Sequence, residues 1–337
     1  MKRFFSVPMA FVALIGCKPG GGPFNSVVVY TSVDDVFARP ICERFQRETG
    51  IEVKLVPDTE ETKSTGLLNR LLAEKARPVA DVFWSGDPAR AGVLKARGIS
   101  APFKPASPAD TTGRYSDPAG HWSALSARAR VILYNTNLVA AGQEPRGLAD
   151  FLKPEWHGRA CLANPLFGTT SMHAAALFEV MGEAKAREFF TALKANGVKM
   201  LSSNGEVKRR VANGEFAFGL ADTDDAHEAA ADKKPVAAVY PDAEGGGTLV
   251  VPNAAVLIAG APHPENGKRF IEFLLSAAVE AELAKSAAQM PLRPGVPVPS
   301  GVKRVEEVKT ISVDYETLAA RLEHVAAGFL KDWVNQQ

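Results

Sequence analysis

Cysteine and net charge are two features that this sequence has little of. Only three cysteines occur in 337 residues. Cys17, Cys42 and Cys161 show no C-x-x-C spacing, so the sequence predicts neither a disulfide scaffold nor a structural zinc site. We expect Cys42 and Cys161 to be buried and unpaired, with a bridge between them as the open alternative. The 39 basic and 38 acidic side chains give a formal net charge of +1, which predicts no nucleic-acid partner.

Enzyme signatures are also missing. The sequence contains no G-x-x-x-x-G-K-[ST], G-x-G-x-x-G, H-E-x-x-H or G-x-S-x-G motif, which argues against nucleotide hydrolysis, dinucleotide binding, zinc proteolysis and esterase chemistry. The acidic run 222–225 suggests a calcium loop. Its sixth position is His227 and its twelfth is Lys233, where an EF-hand needs glycine and glutamate. The sequence therefore predicts a protein that is not an enzyme, with a lipid-anchored hydrolase using these aspartates as the alternative.

The N-terminus has the pattern of a secretory signal. Two basic residues precede an apolar run at 4–16 that ends at Cys17, and this run is shorter than the roughly 20 residues of a membrane-spanning helix. The tetrapeptide Leu-Ile-Gly-Cys is similar to the lipobox of bacterial lipoproteins. We therefore expect a signal peptide at 1–16, lipidation of Cys17 and a tether at 17–25. This places the protein in the periplasm or at the cell surface, anchored to the membrane; ordinary secretion with cleavage nearby is the alternative.

Strand-like and helix-like segments alternate along the rest of the chain. The β-branched run 26–30 is followed by helical spacing at 36–49, which Gly50 closes, and then by an alternating strand at 51–56. Further units of this kind predict an α/β fold with a mostly parallel sheet flanked by helices. The length of 337 residues predicts two lobes rather than one.

Polar loops follow the predicted strands at their carboxyl ends. Examples are the loops 31–35, 164–171 and 221–227, whereas 248–251 and 254–258 have the pattern of two separate strands. In open α/β sheets ligands bind at this edge, because helix N-termini and free backbone N–H groups converge there. The sequence thus predicts a ligand cleft between two lobes.

Five segments carry a resemblance to a known family. They read V-V-Y-T-S at 28–32, T-G-I-E-V at 49–53, A-D-V-F-W-S at 80–85, A-R-A-R-V-I-L-Y-N-T at 127–136, and A-G-A-P-H-P-E-N at 259–266 ahead of F-I-E-F-L at 270–274. With these segments the chain, over residues 27–335, resembles the substrate-binding lipoproteins of ABC importers, of the ferric-iron-binding type (extracellular solute-binding protein family 1). The resemblance implies the type II periplasmic-binding-protein fold, in which two α/β lobes joined by crossing strands close around a solute.

The resemblance also implies an organisation and a set of partners. We expect lobe 1 to comprise 26–127 plus 250–305, and lobe 2 to comprise 128–249 plus 306–337. The implied partner is the permease of an ABC importer, and the implied ligand is a small molecule or a metal. We expect the protein to be a monomer that contacts the membrane only through its lipid anchor.

At the positions where the family has its iron ligands, this sequence offers carboxylates instead of phenolates. The family's adjacent-tyrosine position falls at about Thr223 and Asp224, its first-loop ligand at Asp34, and its glutamate at Gly86 beside Asp87. The tyrosines of this chain lie elsewhere and none forms a pair; they are Tyr30, Tyr115, Tyr134, Tyr240 and Tyr315. Fe³⁺ accepts carboxylate oxygens. The resemblance therefore implies an oxygen-only site at Asp34, Asp224 and Asp225 for a transported ferric ion or another hard cation, with no resident cofactor.

An anion site is predicted opposite these carboxylates. The run 168–171 lies at a predicted helix N-terminus, where hydroxyl and backbone N–H groups hold oxyanions, and Asn204 matches the family's anion-contacting asparagine. Simple N-capping is the alternative for this run. Arg128 and Arg130 add forked donors near the hinge. The predicted ligand-binding set is Thr31, Ser32, Asp34, Asp87, Arg128, Arg130, Gly168, Thr169, Thr170, Ser171, Asn204, Asp222, Thr223, Asp224 and Asp225.

The same set also suits an organic ligand. In this alternative the ammonium of a zwitterion lies at Asp34 and Asp224, and its acid group lies at Thr169, Thr170 and Asn204. An aminophosphonate or a sugar phosphate has this chemistry. Closure of the cleft would desolvate both charged ends, so each end needs a partner of opposite charge.

Overall fold

The structure is a computed structural model that describes residues 25–59 and 64–336. The predicted signal peptide and Cys17 lie outside the described residues, so the lipid anchor stays a prediction. Within the described ranges no helix combines the length and the apolar character that crossing a membrane requires.

The alternation of strands and helices predicted from the sequence is confirmed. The described residues form the strands β1 (Ser26–Thr31), β2 (Glu52–Pro57), β3 (Val82–Ser85), β4 (Ser100–Ala101), β5 (Ser123–Asn135), β6 (Ala160–Ala163), β7 (Lys199–Leu201), β8 (Phe218–Asp222), β9 (Val236–Val239) and β10 (Val250–Ile258). The helices are α1 (Asp35–Thr49), α2 (Thr65–Ala73), α3 (Pro88–Ala96), α4 (Gly168–Met181), α5 (Glu183–Ala195), α6 (Asn204–Ala212), α7 (Thr223–Ala231), α8 (Pro264–Leu274), α9 (Ala277–Ala287), α10 (Tyr315–Ala327) and α11 (Phe329–Asn335). Short 3₁₀ turns occur at Leu148–Leu152, Pro154–Trp156 and Val305–Glu307.

The sheet has two mostly parallel halves joined by antiparallel strands. Its order across the described chain is β2-β1-β3-β10-β5-β8-β6-β7, with β4 also on β10 and β9 also on β5. In the first half β1 is parallel to β2 and β3, and in the second half β6 is parallel to β7 and β8. β5 and β10 lie antiparallel to each other at the junction. This confirms the prediction of a two-lobed α/β fold.

The junction strands differ from the sequence prediction. The segments 248–251 and 254–258, expected as two strands, are joined in the single strand β10, which shifts register against β5 between Pro252 and Asn253. Proline lacks the N–H that a regular ladder needs, which explains why the register changes there. β5 covers Ser123–Asn135 and pairs with strands of both halves of the sheet.

Helix α1 shows how the apolar spacing of the sequence produces the packing. Ile41 and Phe45 are buried on one face of α1, four residues apart as a single helix face requires. Gly50 ends the helix with φ 69°, and its N–H donates to the Gln46 carbonyl, a left-handed conformation that favours glycine. Cys42 lies on the same buried face.

Both cysteines in the described part of the chain are unpaired. Cys42 and Cys161 are buried free thiols, which confirms the prediction. Burial raises the pKa of Cys42 to about 12 and also raises the pKa of Cys161. Because the thiolate is the reactive form, both side chains act as small apolar core residues.

Helix α10 packs against helices of both halves. It lies on α3 in the first half and on α4 in the second half. The approach to α3 is close: a Cβ added at Gly92 would lie 2.7 Å from the Cβ of Ala319. A glycine at this position therefore allows α10 to approach α3 closely.

Candidate functional site

A cavity of about 480 Å³ lies between the two halves of the sheet. Its lining comes from the segments that follow β1, β6, β7 and β8 and from the first turns of α1, α4, α6 and α7. This is the convergence of strand ends and helix N-termini that the sequence predicted. Among the described residues the lining includes seven carboxylates and three basic side chains: Asp34, Asp35, Glu206, Asp222, Asp224, Asp225 and Glu228 against Arg128, Lys208 and Arg209. The excess of carboxylates favours a ligand that carries positive charge.

The aspartate segment is a helix start and not the loop that the sequence predicted. β8 ends at Asp222 and α7 begins at Thr223. Asp225, in the first turn, accepts a hydrogen bond from the backbone N–H of Asp222 at 3.3 Å. Such a contact from a first-turn carboxylate stabilises a helix N-terminus, which explains the difference. One carboxylate oxygen from each of Asp222, Asp224 and Asp225 lies within 4.8 Å of the others.

Asp222 belongs to a buried network of hydrogen bonds. Arg130 Nη1 donates to Asp222 Oδ1 at 2.6 Å, and Thr169 Oγ1 donates to Asp222 Oδ2 at 2.7 Å. Asp222 is 1% exposed and Arg130 is fully buried. Burial alone would raise the pKa of Asp222, but Arg130 and Arg128 outweigh burial and lower it. Asp222 therefore anchors the cavity wall, and both of its oxygens already accept hydrogen bonds.

The threonines of α4 belong to the same network. Thr169 Oγ1 accepts from Arg130 at 2.9 Å and from Asn204 Nδ2 at 2.8 Å, while Thr170 Oγ1 donates to Asn204 Oδ1 at 3.0 Å. Their hydroxyls are thus used inside the protein. In the described structure no side chain caps α4, whose N-cap residue is Phe167. What this helix offers to the cavity is its first backbone N–H groups and its dipole.

Arg128 lies between the acidic cluster and the first half. Its Nη1 donates to Asp222 at 3.3 Å and to Asp224 at 3.4 Å, and its Nη2 donates to the Gly86 carbonyl. Burial would lower the pKa of Arg128, but Asp224 and Asp222 raise it well above its usual range. Arg128 therefore remains charged and links the two sides of the cavity.

Asp225 is a carboxyl group with a strong tendency to keep its proton. Burial, and then the neighbouring Asp224 and Asp222, raise its pKa well above the usual range. The positive charge of Lys208 lowers the pKa of Asp225, but its Nζ lies 3.8 Å from Asp225 Oδ1 and does not outweigh these effects. A cation placed among these carboxylates would displace that proton, because metal ligands must be deprotonated.

Ten residues of the predicted set line this cavity, and five have internal roles. The lining members are Ser32, Asp34, Arg128, Gly168, Thr169, Thr170, Asn204, Asp222, Asp224 and Asp225. Thr31 Oγ1 donates to the Trp84 carbonyl, and Asp87 accepts from the backbone N–H of Arg90. Arg130 belongs to the Asp222 network, and Ser171 contacts Arg90. The Thr223 hydroxyl accepts a hydrogen bond from the backbone N–H of Ala129.

Sequence reasoning missed several charged residues of the cavity wall. Glu206, Lys208 and Arg209 lie on α6, and Glu228 lies on α7. The segment 199–204 runs from a strand through a polar turn into a helix, and that pattern could have identified α6 as a contributor. Glu228 gave no comparable signal, since it lies within a helix rather than at its start.

The tyrosines do not contribute to the cavity. All five lie in the described ranges, and none is among the residues that line the cavity there. Tyr30 donates its hydroxyl to Glu74, and Tyr315 donates to the Val250 carbonyl. Burial and Glu74 raise the pKa of Tyr30 to about 12. The cavity is therefore a carboxylate site without phenolates.

A buried histidine beneath the site predicts how stability depends on pH. His173 is 2% exposed, and burial together with Arg130 lowers its pKa to about 3 from the usual 6.5. Between these two pH values the unfolded chain binds a proton that the folded protein does not. The free energy of unfolding should therefore fall with decreasing pH, by up to about 1.4 kcal/mol per pH unit from this group.

His173→Phe is expected to flatten this dependence, as measured by urea denaturation in steps between about pH 6 and 4. The matched control is His324→Phe, because His324 lies exposed on α10. Equal slopes for His173→Phe and the unsubstituted protein would contradict the prediction.

Three comparisons place this chain among known proteins. Residues 77–316 match the family model described as a bacterial extracellular solute-binding protein. Iron uptake protein A1 of Synechocystis is 28% identical, over 95% of this chain and 94% of that protein. Iron-bound HitA from Pseudomonas aeruginosa has a TM-score of 0.82 and 24% identity, and the similarity covers 91% of this chain and 99% of HitA. AfuA from Actinobacillus pleuropneumoniae, a periplasmic binding protein solved with fructose-6-phosphate, has a TM-score of 0.81 and 21% identity, over 92% and 98%. The two structures support the fold.

Proposed function

The chain belongs to the bacterial extracellular solute-binding protein family, and from this premise we propose that it captures a ligand in the cleft and delivers it to an ABC importer. The cavity lies between the two halves of the sheet, and the strands β5 and β10 join those halves. Hinge closure about such a junction encloses a solute and shields it from water. The partner is the importer's permease, and the protein acts as a monomer in the periplasm.

The proposed ligand is ferric iron, or another hard cation, with a bound anion. The observation that carries this proposal is the cluster of carboxylates at the start of α7, where Asp222, Asp224 and Asp225 present oxygens within 4.8 Å of one another. Both oxygens of Asp222 already accept hydrogen bonds, one from Arg130 and one from Thr169. Asp34, Asp224 and Asp225 would therefore hold the ion as transported ligand, and oxygen donors suit hard cations.

The anion would lie at the first turn of α4. This helix starts at Gly168 without a side-chain cap in the described structure. Free backbone N–H groups and the positive end of the helix dipole favour a bound oxyanion. The anion would complete the coordination shell that the missing phenolates leave open.

An organic zwitterion is the second candidate, and one observation favours it. Arg128 already lies 3.4 Å from Asp224 within the acidic cluster, which makes the wall partly cationic and suited to a ligand with charges of both signs. AfuA has been solved with a sugar phosphate bound. In this case the ammonium would lie on the carboxylates and the acid group on α4.

The proposal also covers catalytic activity, the membrane anchor and the bounds of the two lobes. We infer that the protein is not an enzyme, since iron uptake protein A1 is named for uptake and AfuA for binding. Lipidation of Cys17 behind a signal peptide at 1–16 would tether it to the membrane. We also propose lobe 1 as 26–127 plus 250–305 and lobe 2 as 128–249 plus 306–337, with α10 in contact with helices of both halves.

Thermal-shift screening tests the choice of ligand. A true ligand at one hundred times its dissociation constant should stabilise the fold by about 2.7 kcal/mol. We expect this stabilisation with Fe³⁺ plus phosphate, and not with a sugar phosphate alone. Stabilisation by 2-aminoethylphosphonate or a sugar phosphate without metal would replace the iron proposal with the second candidate. No stabilisation by any of these solutes would contradict both.

A further inference from the structure

Arg90 is a buried arginine of the first half that contacts the second half. It lies on α3 and is 1% exposed. Two contacts join Arg90 to Asp87 of the same half. The Arg90 backbone N–H donates to Asp87 Oδ1 at 3.1 Å, and Nη1 lies 3.4 Å from Asp87 Oδ2. Asp87 is fully buried, so the pair is shielded from solvent.

The head of the Arg90 side chain binds the first turn of α4. Nη2 donates to Ser171 Oγ at 2.7 Å, and Nη1 donates to the Gly168 carbonyl at 3.4 Å. Ser171 Oγ in turn donates to the same Gly168 carbonyl at 2.7 Å. These two residues open the helix whose N-terminus faces the cavity. Arg90 therefore fixes a part of the proposed anion site from the opposite half.

A second contact accompanies this one. Nη2 of Arg90 also donates to Thr65 Oγ1 at 3.1 Å, and Thr65 Oγ1 reaches the Leu166 carbonyl at 3.4 Å. Thr65 opens α2 in the first half, whereas Leu166 lies in the loop before α4. The crossing hydrogen bonds thus form one group around the Arg90 guanidinium.

Arg90 is absent from the residues that line the cavity in the described chain. We propose that Arg90 is a positioning residue that latches the two halves in the closed state, with Ser171 and Gly168 as its acceptors. The proposal rests on the proposed function of capture by hinge closure. Separation of the halves would break the hydrogen bonds to α4 while leaving the Asp87 pair intact. Because hydrogen bonds to a charged donor are stronger than neutral ones, their loss would favour the open state.

The test reads the conformation of the ligand-free protein, so it does not depend on the identity of the ligand. Spin labels carried by non-canonical residues at Lys54 on β2 and Lys199 on β7 report the distance between opposite edges of the sheet; both lysines are exposed. Pulsed dipolar spectroscopy would compare the unsubstituted protein, Arg90→Met, Arg90→Lys and Ser171→Ala. We expect Arg90→Met to shift the distribution to longer distances, with smaller shifts for Arg90→Lys and Ser171→Ala.

Arg187→Met is the matched control. Arg187 lies on α5, and its exposed guanidinium pairs with Glu183 of the same helix at 2.7 Å. This control should leave the distribution unchanged. Ser171→Ala covers the case in which Arg90→Met does not fold, since it removes one hydroxyl only. Distributions for Ser171→Ala and folded Arg90→Met that match the unsubstituted protein would overturn the latch.

A kinetic measurement separates the latch from the identity of the ligand. With Fe³⁺ plus phosphate as the probe, release from Ser171→Ala should be about tenfold faster, the effect of losing one hydrogen bond to a charged group. A shift in the label distances without any binding of Fe³⁺ would support the latch and contradict the iron proposal. Tight Fe³⁺ binding with unchanged distances and release rates would support iron and overturn the latch.

Discussion

Arg130→Met is expected to lower the free energy of unfolding by about 3–5 kcal/mol, because it leaves the Asp222 carboxylate buried without its closest positive partner. The two groups lie 2.6 Å apart, and both residues are almost completely buried. Thr169 and Arg128 would remain as partners of Asp222, but Arg128 lies farther away at 3.3 Å. Urea denaturation monitored by circular dichroism measures the change.

Arg97→Met provides the control for this experiment. Its ion pair with Glu323 is exposed on both sides, and exposed pairs contribute little to stability. The comparison thus separates a buried charge pair from the general effect of replacing an arginine with methionine. Similar losses of stability in the two variants would show that the buried network is not a stabilising anchor.

The second large effect concerns ligand binding. Asp224→Asn and Asp225→Asn should each weaken Fe³⁺ binding by roughly 100-fold, since removing one charged partner from a buried ionic site costs about 3 kcal/mol. Both substitutions keep the shape of the side chain. Asp225→Asn also keeps an oxygen that can accept from the backbone N–H of Asp222, so the start of α7 should remain folded. Competition against a chelator of known affinity measures the loss.

Asp232→Asn is the matched control for these variants. Asp232 follows α7 at its other end and is exposed, so its substitution should leave affinity unchanged. If Asp224→Asn and Asp225→Asn bind Fe³⁺ as tightly as the unsubstituted protein, the acidic cluster is not the iron site. Weaker binding of a zwitterion in the same variants, without any Fe³⁺ binding, would support the second candidate.

The fold could be predicted from the sequence where its signals are local. The apolar face of α1 and the C-terminal Gly50 identify a helix from spacing alone, and the β-branched run identifies β1. The junction could not be predicted in this way. The continuity of β10 across Pro252 depends on its pairing with β5, which is a contact between distant parts of the chain. Periodicity within one window carries no information on such pairing.

The candidate site could be located from the sequence, but the roles of its residues could not be assigned. Loops at strand ends gave the correct edge of the sheet, and Asp34, Asp224 and Asn204 do line the cavity. The sequence could not show that Asp222 and Thr169 are bound to each other and to Arg130. It also gave no signal for Arg90, because an arginine in a helical pattern usually lies at the surface.

Native mass spectrometry with metal analysis, on protein purified without a chelator, tests the central claim most directly. We predict one ferric ion per chain together with the mass of a small anion, both lost when the protein is treated with a strong chelator. A metal-free chain that carries an organic phosphate or an aminophosphonate would contradict the iron proposal and identify the ligand of the second candidate.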